Sequence, residues 1–178
     1  MNREFKNTGV FCTSKDNTHP LMWSHYADNH RGVCIGFSAL MPPLALAQPV
    51  IYSPTRPVLK FGNNPDEISK ALCHKADFWQ YEREYRVISL PNASGDLSEF
   101  SRDPKFDFET VRFIHECRGP GLFRIPKEVI QSLCFGCKTA PSEIEEVSSI
   151  AKLHLPHIEL WRAKMVHDRY ELHIERID

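Results

Sequence analysis

Apolar and polar residues change period several times along the chain, and each change predicts an element. The run GVFCTS (9–14), closed by the polar turn KDNTHP, predicts a strand. PLMWSHYADNH (20–30) predicts a helix: Pro20 suits a first turn, Gly32 lies just past the end, and Trp23, Tyr26, Ala27 and His30 recur at helical spacing on one face. VCIGFS (33–38) predicts a second strand, so the opening elements read as one strand–helix–strand unit. MPPLALAQP (41–49) is punctuated by prolines and predicts irregular chain, while VIYS (50–53) predicts a short strand.

DEISKALCHKADFW (66–79) predicts a helix whose apolar face runs through Ile68, Leu72 and Trp79, with Lys75 on that same face. The period then switches to two, and Glu84 to Leu90 predicts a strand. NASGDLSEFSRDPKFD (92–107) is rich in turn formers and predicts a surface loop, and ETVRFIHEC (109–117) a strand. IPKEVIQSLCFGC (125–137) reads as a helical turn running into a strand. SEIEEVSSIAKLH (142–154) predicts a helix opened by Ser142 and Glu145 at capping-box spacing, with Ile144, Val147, Ile150 and Ala151 on one face. HIELWRAKM (157–165) and YELHIERI (170–177) alternate, the latter with Tyr170, Leu172 and Ile174 on one side, and predict a closing hairpin. About three helices and six to eight strands in mixed order predict an α+β fold with mixed, mainly antiparallel sheets.

Composition narrows the classes. A chain of 178 residues suffices for a single domain spanning 1–178. Its 22 basic and 23 acidic residues are well mixed, so no nucleic-acid footprint stands out. No apolar run approaches the roughly 20 residues of a membrane span, and MNREFKNTGV lacks the apolar core of a secretory signal. Six cysteines in a chain of this kind point to reduced thiols in a cytoplasm rather than to a disulfide framework.

The candidate chemistry gathers around YEREYR (81–86). If the strand pattern extends back to Glu82, then Glu82, Glu84 and Arg86 share a face, and Lys75 is the nearest candidate partner. The four charges form either a structural ion-pair network or a carboxylate held ready in a cleft, because structural networks imitate sites. Ser24, His25 and Tyr26 are consecutive on a predicted helix and splay by about 100° each, which excludes a hydroxyl–imidazole relay. Trp23 reads as core, whereas the Tyr26 ring remains able to stack on a flat ligand. His115, Cys117, Cys134 and Cys137 form an H-x-C…C-x-x-C candidate zinc set, although a lone C-x-x-C is weak and Cys134 reads equally as a buried strand residue. A deaminase would want glutamate where Cys117 stands. No phosphate-binding glycine loop is present, since GPG (119–121) lacks its lysine.

MWSHYADNHRGVCIGF, then Val50 and Tyr52, then K-x-x-x-W-x-YE-x-E-x-R from Lys75 to Arg86, resemble the bacterial family known as domain of unknown function 2971. FGCK and the YELHIERI tail are similar to its C-terminal part, so the resemblance runs over most of the chain. The family's usual N-terminal strand segment is expected to be missing here. More distantly, the chain resembles the ADP-ribosyltransferase fold. That fold builds an NAD site from a strand bearing Arg or His, a strand with an S-T-S-like turn into a helix, and a late strand carrying a catalytic glutamate. The resemblance implies that Cys12, Thr13 and Ser14 stand at the S-T-S position, with cysteine replacing the first serine. It implies Glu84 as the catalytic residue, with Glu82 as its neighbour. Tyr26, Ser14, Thr13, Arg86 and Lys75 would then bind NAD or a related nucleotide. The other expectation keeps the scaffold as a non-catalytic protein-binding module, with a setting in phage–host conflict.

Overall fold

Strand β1 (Gly9–Ser14) pairs antiparallel with β6 (Glu84–Ser89) in unbroken register, from Gly9 opposite Ser89 to Ser14 opposite Glu84. A two-residue strand β3 (Gln48–Pro49) pairs with the other edge of β6, giving the order β1-β6-β3. The computed structural model describes residues 7–59, 65–89, 112 and 119–177. The chain divides into two units, one of residues 1–15 and 39–125, the other of residues 16–38 and 126–178.

The first unit adds a small parallel sheet to the β1-β6-β3 sheet. β4 (Ile51–Ser53) pairs parallel with β5 (His74–Ala76), and the crossover carries helix α2 (Pro65–Leu72). The helix expected over 66–79 is thus three pieces: α2, then β5, then a 3-10 turn over Asp77–Glu82. Lys75 stands on a strand opposite Tyr52 rather than on a helix face. Glu82 closes the 3-10 turn instead of extending the strand, and Arg83 makes the corner in a left-handed conformation (φ 47°). The irregular chain expected near Pro43 includes one 3-10 turn, Leu44–Leu46.

The second unit is a four-stranded sheet, order β2-β7-β8-β9, with a helix against each face. Its strands are β2 (Val33–Phe37), β7 (Ile130–Phe135), β8 (Glu159–Met165) and β9 (Leu172–Arg176). Helix α1 (Pro20–Tyr26) sets the buried Trp23, followed by Ala27, against Cys134, Ala163 and Leu172. Helix α3 (Pro141–His154) contributes Ile144 and Ala151, with Leu155, to a cluster around Leu133, Phe135, Ile158 and Leu160 on the other face. β7 and β8 are parallel and α3 is their crossover, while β8 and β9 form the expected antiparallel hairpin.

α1 is shorter than its spacing predicts. It ends at Tyr26, and Asp28, Asn29 and His30 follow with φ of 43°, 50° and 73°. Asp and Asn tolerate that region better than other side chains, so the ADN tripeptide is a turn rather than a last helical turn. The opening strand–helix–strand run is not one unit either: β1 belongs to the first sheet and β2 to the second. At α3 the Ala140 N–H donates to the Glu143 carboxylate at 3.3 Å, two residues earlier than the Ser142–Glu145 box predicts. Val147 and Ile150 lie exposed beside the partly buried Ile144 and Ala151, and Tyr170 precedes β9 and is exposed.

The class is α+β with mixed, mainly antiparallel sheets. No helix among the described residues is long and apolar enough to cross a membrane. Leu90, the loop over 92–107 and, apart from Arg112, the strand over 109–117 lie outside the described residues.

Candidate functional site

Antiparallel pairing decides which side chains meet on the β1–β6 ribbon. Residues directly opposite share a face, so Cys12 with Arg86 and Ser14 with Glu84 face one way, while Thr13 with Tyr85 and Phe11 with Val87 face the other. The 3-10 turn before β6 brings Glu82 back to the first of these faces, and β5 supplies Lys75. Four charges expected together do come together, through three different elements.

Glu84 is 7 % exposed and heavily engaged. Arg86 grips it in a fork, Nε donating to Oε1 and Nη2 to Oε2, both at 2.8 Å. Lys75 Nζ donates to Glu84 Oε2 at 3.2 Å and forms a closer ion pair with Glu82, which is 2 % exposed. The remaining Arg86 Nη1 donates to the Leu72 carbonyl at the end of α2. The Cys12 thiol neighbours Glu84 on the same face of the ribbon. Beneath the carboxylates, the Glu84 N–H donates to the Tyr52 hydroxyl at 2.8 Å, and Ser14 Oγ donates to the Glu82 carbonyl at 2.7 Å. Thr13 Oγ1 reaches the Tyr85 carbonyl at 3.4 Å on the opposite face. Lys75 also lies 5.0 Å from the centre of the Trp79 ring, a cation–π contact.

The electrostatics follow from these distances. Burial pushes the Glu84 carboxyl up, but hydrogen bonds and charge from Arg86, with Cys12 and Lys75, outweigh it and hold the carboxyl at about 2. Cys12 goes the other way: burial and then the neighbouring Glu84 carboxylate raise its thiol to about 11, so it is neutral at physiological pH. Burial works against the Lys75 charge, yet Glu82 and Glu84 together raise its pKa. Arg86 is raised chiefly by its hydrogen bonds to Glu84. The result is a buried, ionised carboxylate with its charge matched by two cations.

The other expected residues fall as follows. Tyr26 belongs to the second unit, at the end of α1, with its ring 63 % exposed and edge-on to His25 at 6.3 Å between centroids. Cys134 is a buried residue of β7, its thiol raised to about 12 by burial, then by Cys34. His115 and Cys117 lie outside the described residues, among which no cluster of three or more metal-ligating side chains occurs. Spacing missed the roles of Tyr52 and of the Leu72 carbonyl. Tyr52 reaches the site through the parallel β4–β5 pairing, which local periodicity does not reveal.

A protein-family model described as "Protein of unknown function (DUF2971)" matches residues 22–42. That stretch runs from inside α1 through β2 and beyond, so the likeness expected over most of the chain is shown for this short segment, which excludes the Glu84 cluster. No curated protein and no solved structure matches the chain.

Proposed function

We propose that the protein is ADP-ribosyltransferase-like and binds NAD or a related nucleotide at the Glu84 cluster. One observation supports this above the others: the strand carrying Cys12, Thr13 and Ser14 lies hydrogen-bonded beside the strand carrying Glu84, with Ser14 opposite Glu84. That is the neighbourhood an S-T-S-like strand and a catalytic glutamate require. A carboxyl held at about 2 is fully ionised at physiological pH. When the nicotinamide–ribose bond breaks, its electron pair leaves with nicotinamide and positive charge develops on the sugar, which a fixed carboxylate stabilises. Lys75, whose side chain is 22 % exposed, is the more accessible cation for a phosphate oxygen.

A second reading draws on the occupancy of Glu84. Both of its oxygens already meet cations, which is how a structural lock is built, and the scaffold would then serve as a non-catalytic protein-binding module. Thermal unfolding with added NAD separates the two. Under the first reading, NAD at about 100 times its Kd raises Tm by roughly 5–10 °C, and Glu84→Gln abolishes release of nicotinamide from NAD. Undiminished release in Glu84→Gln overturns the catalytic assignment. An unmoved Tm together with no release in the parent protein leaves the module.

A further inference from the structure

The face of the β1–β6 ribbon turned away from the charge cluster carries Phe11, Val87 and Ser89. Over it lies a half-open cleft of about 410 Å³, walled also by Pro43, Leu122 and Phe123. Backbone packing sets one wall: a side chain at Gly9 would meet the Gly119 carbonyl at 2.5 Å, and Gly119 itself turns with φ 71°. The cleft lies entirely within the first unit.

We infer that this cleft binds a small, uncharged, largely apolar molecule, at a site separate from the Glu84 cluster. Three observations choose the occupant. Among the described residues lining the cleft none is charged, and Ser89 supplies the one side-chain hydroxyl, so an ionic ligand would lose its hydration there without recompense. The volume falls in the range of small-molecule clefts. Apolar surface also stands at the site half-exposed or open, at Phe11, Phe123 and the fully exposed Leu122, where an apolar guest gains by covering it.

Titration with phenylnaphthylamine, an uncharged fluorophore that brightens in apolar surroundings, tests the inference. The expected result is saturable one-to-one binding that is unaffected by excess NAD. Val87→Phe, which fills the cleft, should abolish it. Leu122→Asp alters only an exposed side chain, so the fold is retained, and it should weaken binding at least tenfold. Binding that never saturates, or that both variants leave unchanged, overturns the inference. So does a signal that falls with rising protein concentration while sedimentation shows dimers, since the face would then join two copies. Failure of the NAD experiment leaves this result untouched, because the two ligands are read separately.

Discussion

Glu84 concentrates the residue-scale physics of this protein, because burial and pairing act on it in opposite directions and pairing wins. Its carboxyl titrates at about 2 in the folded chain and near 4.3 when unfolded. The unfolded chain therefore takes up the proton first as pH falls. Stability contributed by this group is complete above about pH 5 and is lost progressively towards pH 2. Urea midpoints measured across that window should fall steeply in the parent protein, and Glu84→Gln should show a shallower fall from a lower starting point. Equal slopes in the two proteins would mean that the Arg86 fork contributes nothing to folding. Cys12 belongs to the same balance. Its raised thiol stays neutral at neutral pH and so adds no charge beside the Glu84 carboxylate.

At the scale of elements, the turns decide what the strands can do. Gly136 follows β7 and donates its N–H to the Gly32 carbonyl at 2.9 Å. A Cβ there would run into the His30 carbonyl, which itself accepts from the Lys138 N–H at 3.0 Å. Gly136→Ala should therefore destabilise the protein by about 1–3 kcal/mol, read as a lowered urea midpoint at unchanged m-value. The closing hairpin was legible in the sequence from its period-two alternation, and GVFCTS and VCIGF from short apolar runs, the first of them closed by a polar turn. The stretch over 66–79 was not, because Ile68, Leu72, Lys75 and Trp79 keep helical spacing through a strand and a 3-10 turn. What breaks the helix there is the pairing of His74–Ala76 with Ile51–Ser53, a partner more than twenty residues away. The charge cluster was legible for a partly mistaken reason. Glu82 and Glu84 do converge, but across a left-handed corner at Arg83 rather than along one strand.

For the whole molecule, the feature that matters is the interleaving of the two units. Residues 16–38 belong with 126–178, and the first unit is drawn from the chain before and between them. A fragment of residues 1–125 keeps Trp23 and β2 but loses β7, β8 and β9, the partners of both. In that fragment the segment 16–38 should be cut rapidly by trypsin at Arg31 while the intact chain resists. Equal protection in both would show that α1 and β2 hold their structure without the sheet. The same interleaving sets an order of events during synthesis. Cys34 pairs with Cys134, so β2 emerges about 100 residues before its neighbour exists. At cellular elongation rates that is a wait of about 5–20 s. Over that interval Trp23 and an apolar strand edge stand in solution on a nascent chain, which makes the protein a natural client of whatever shields unfinished chains at the ribosome.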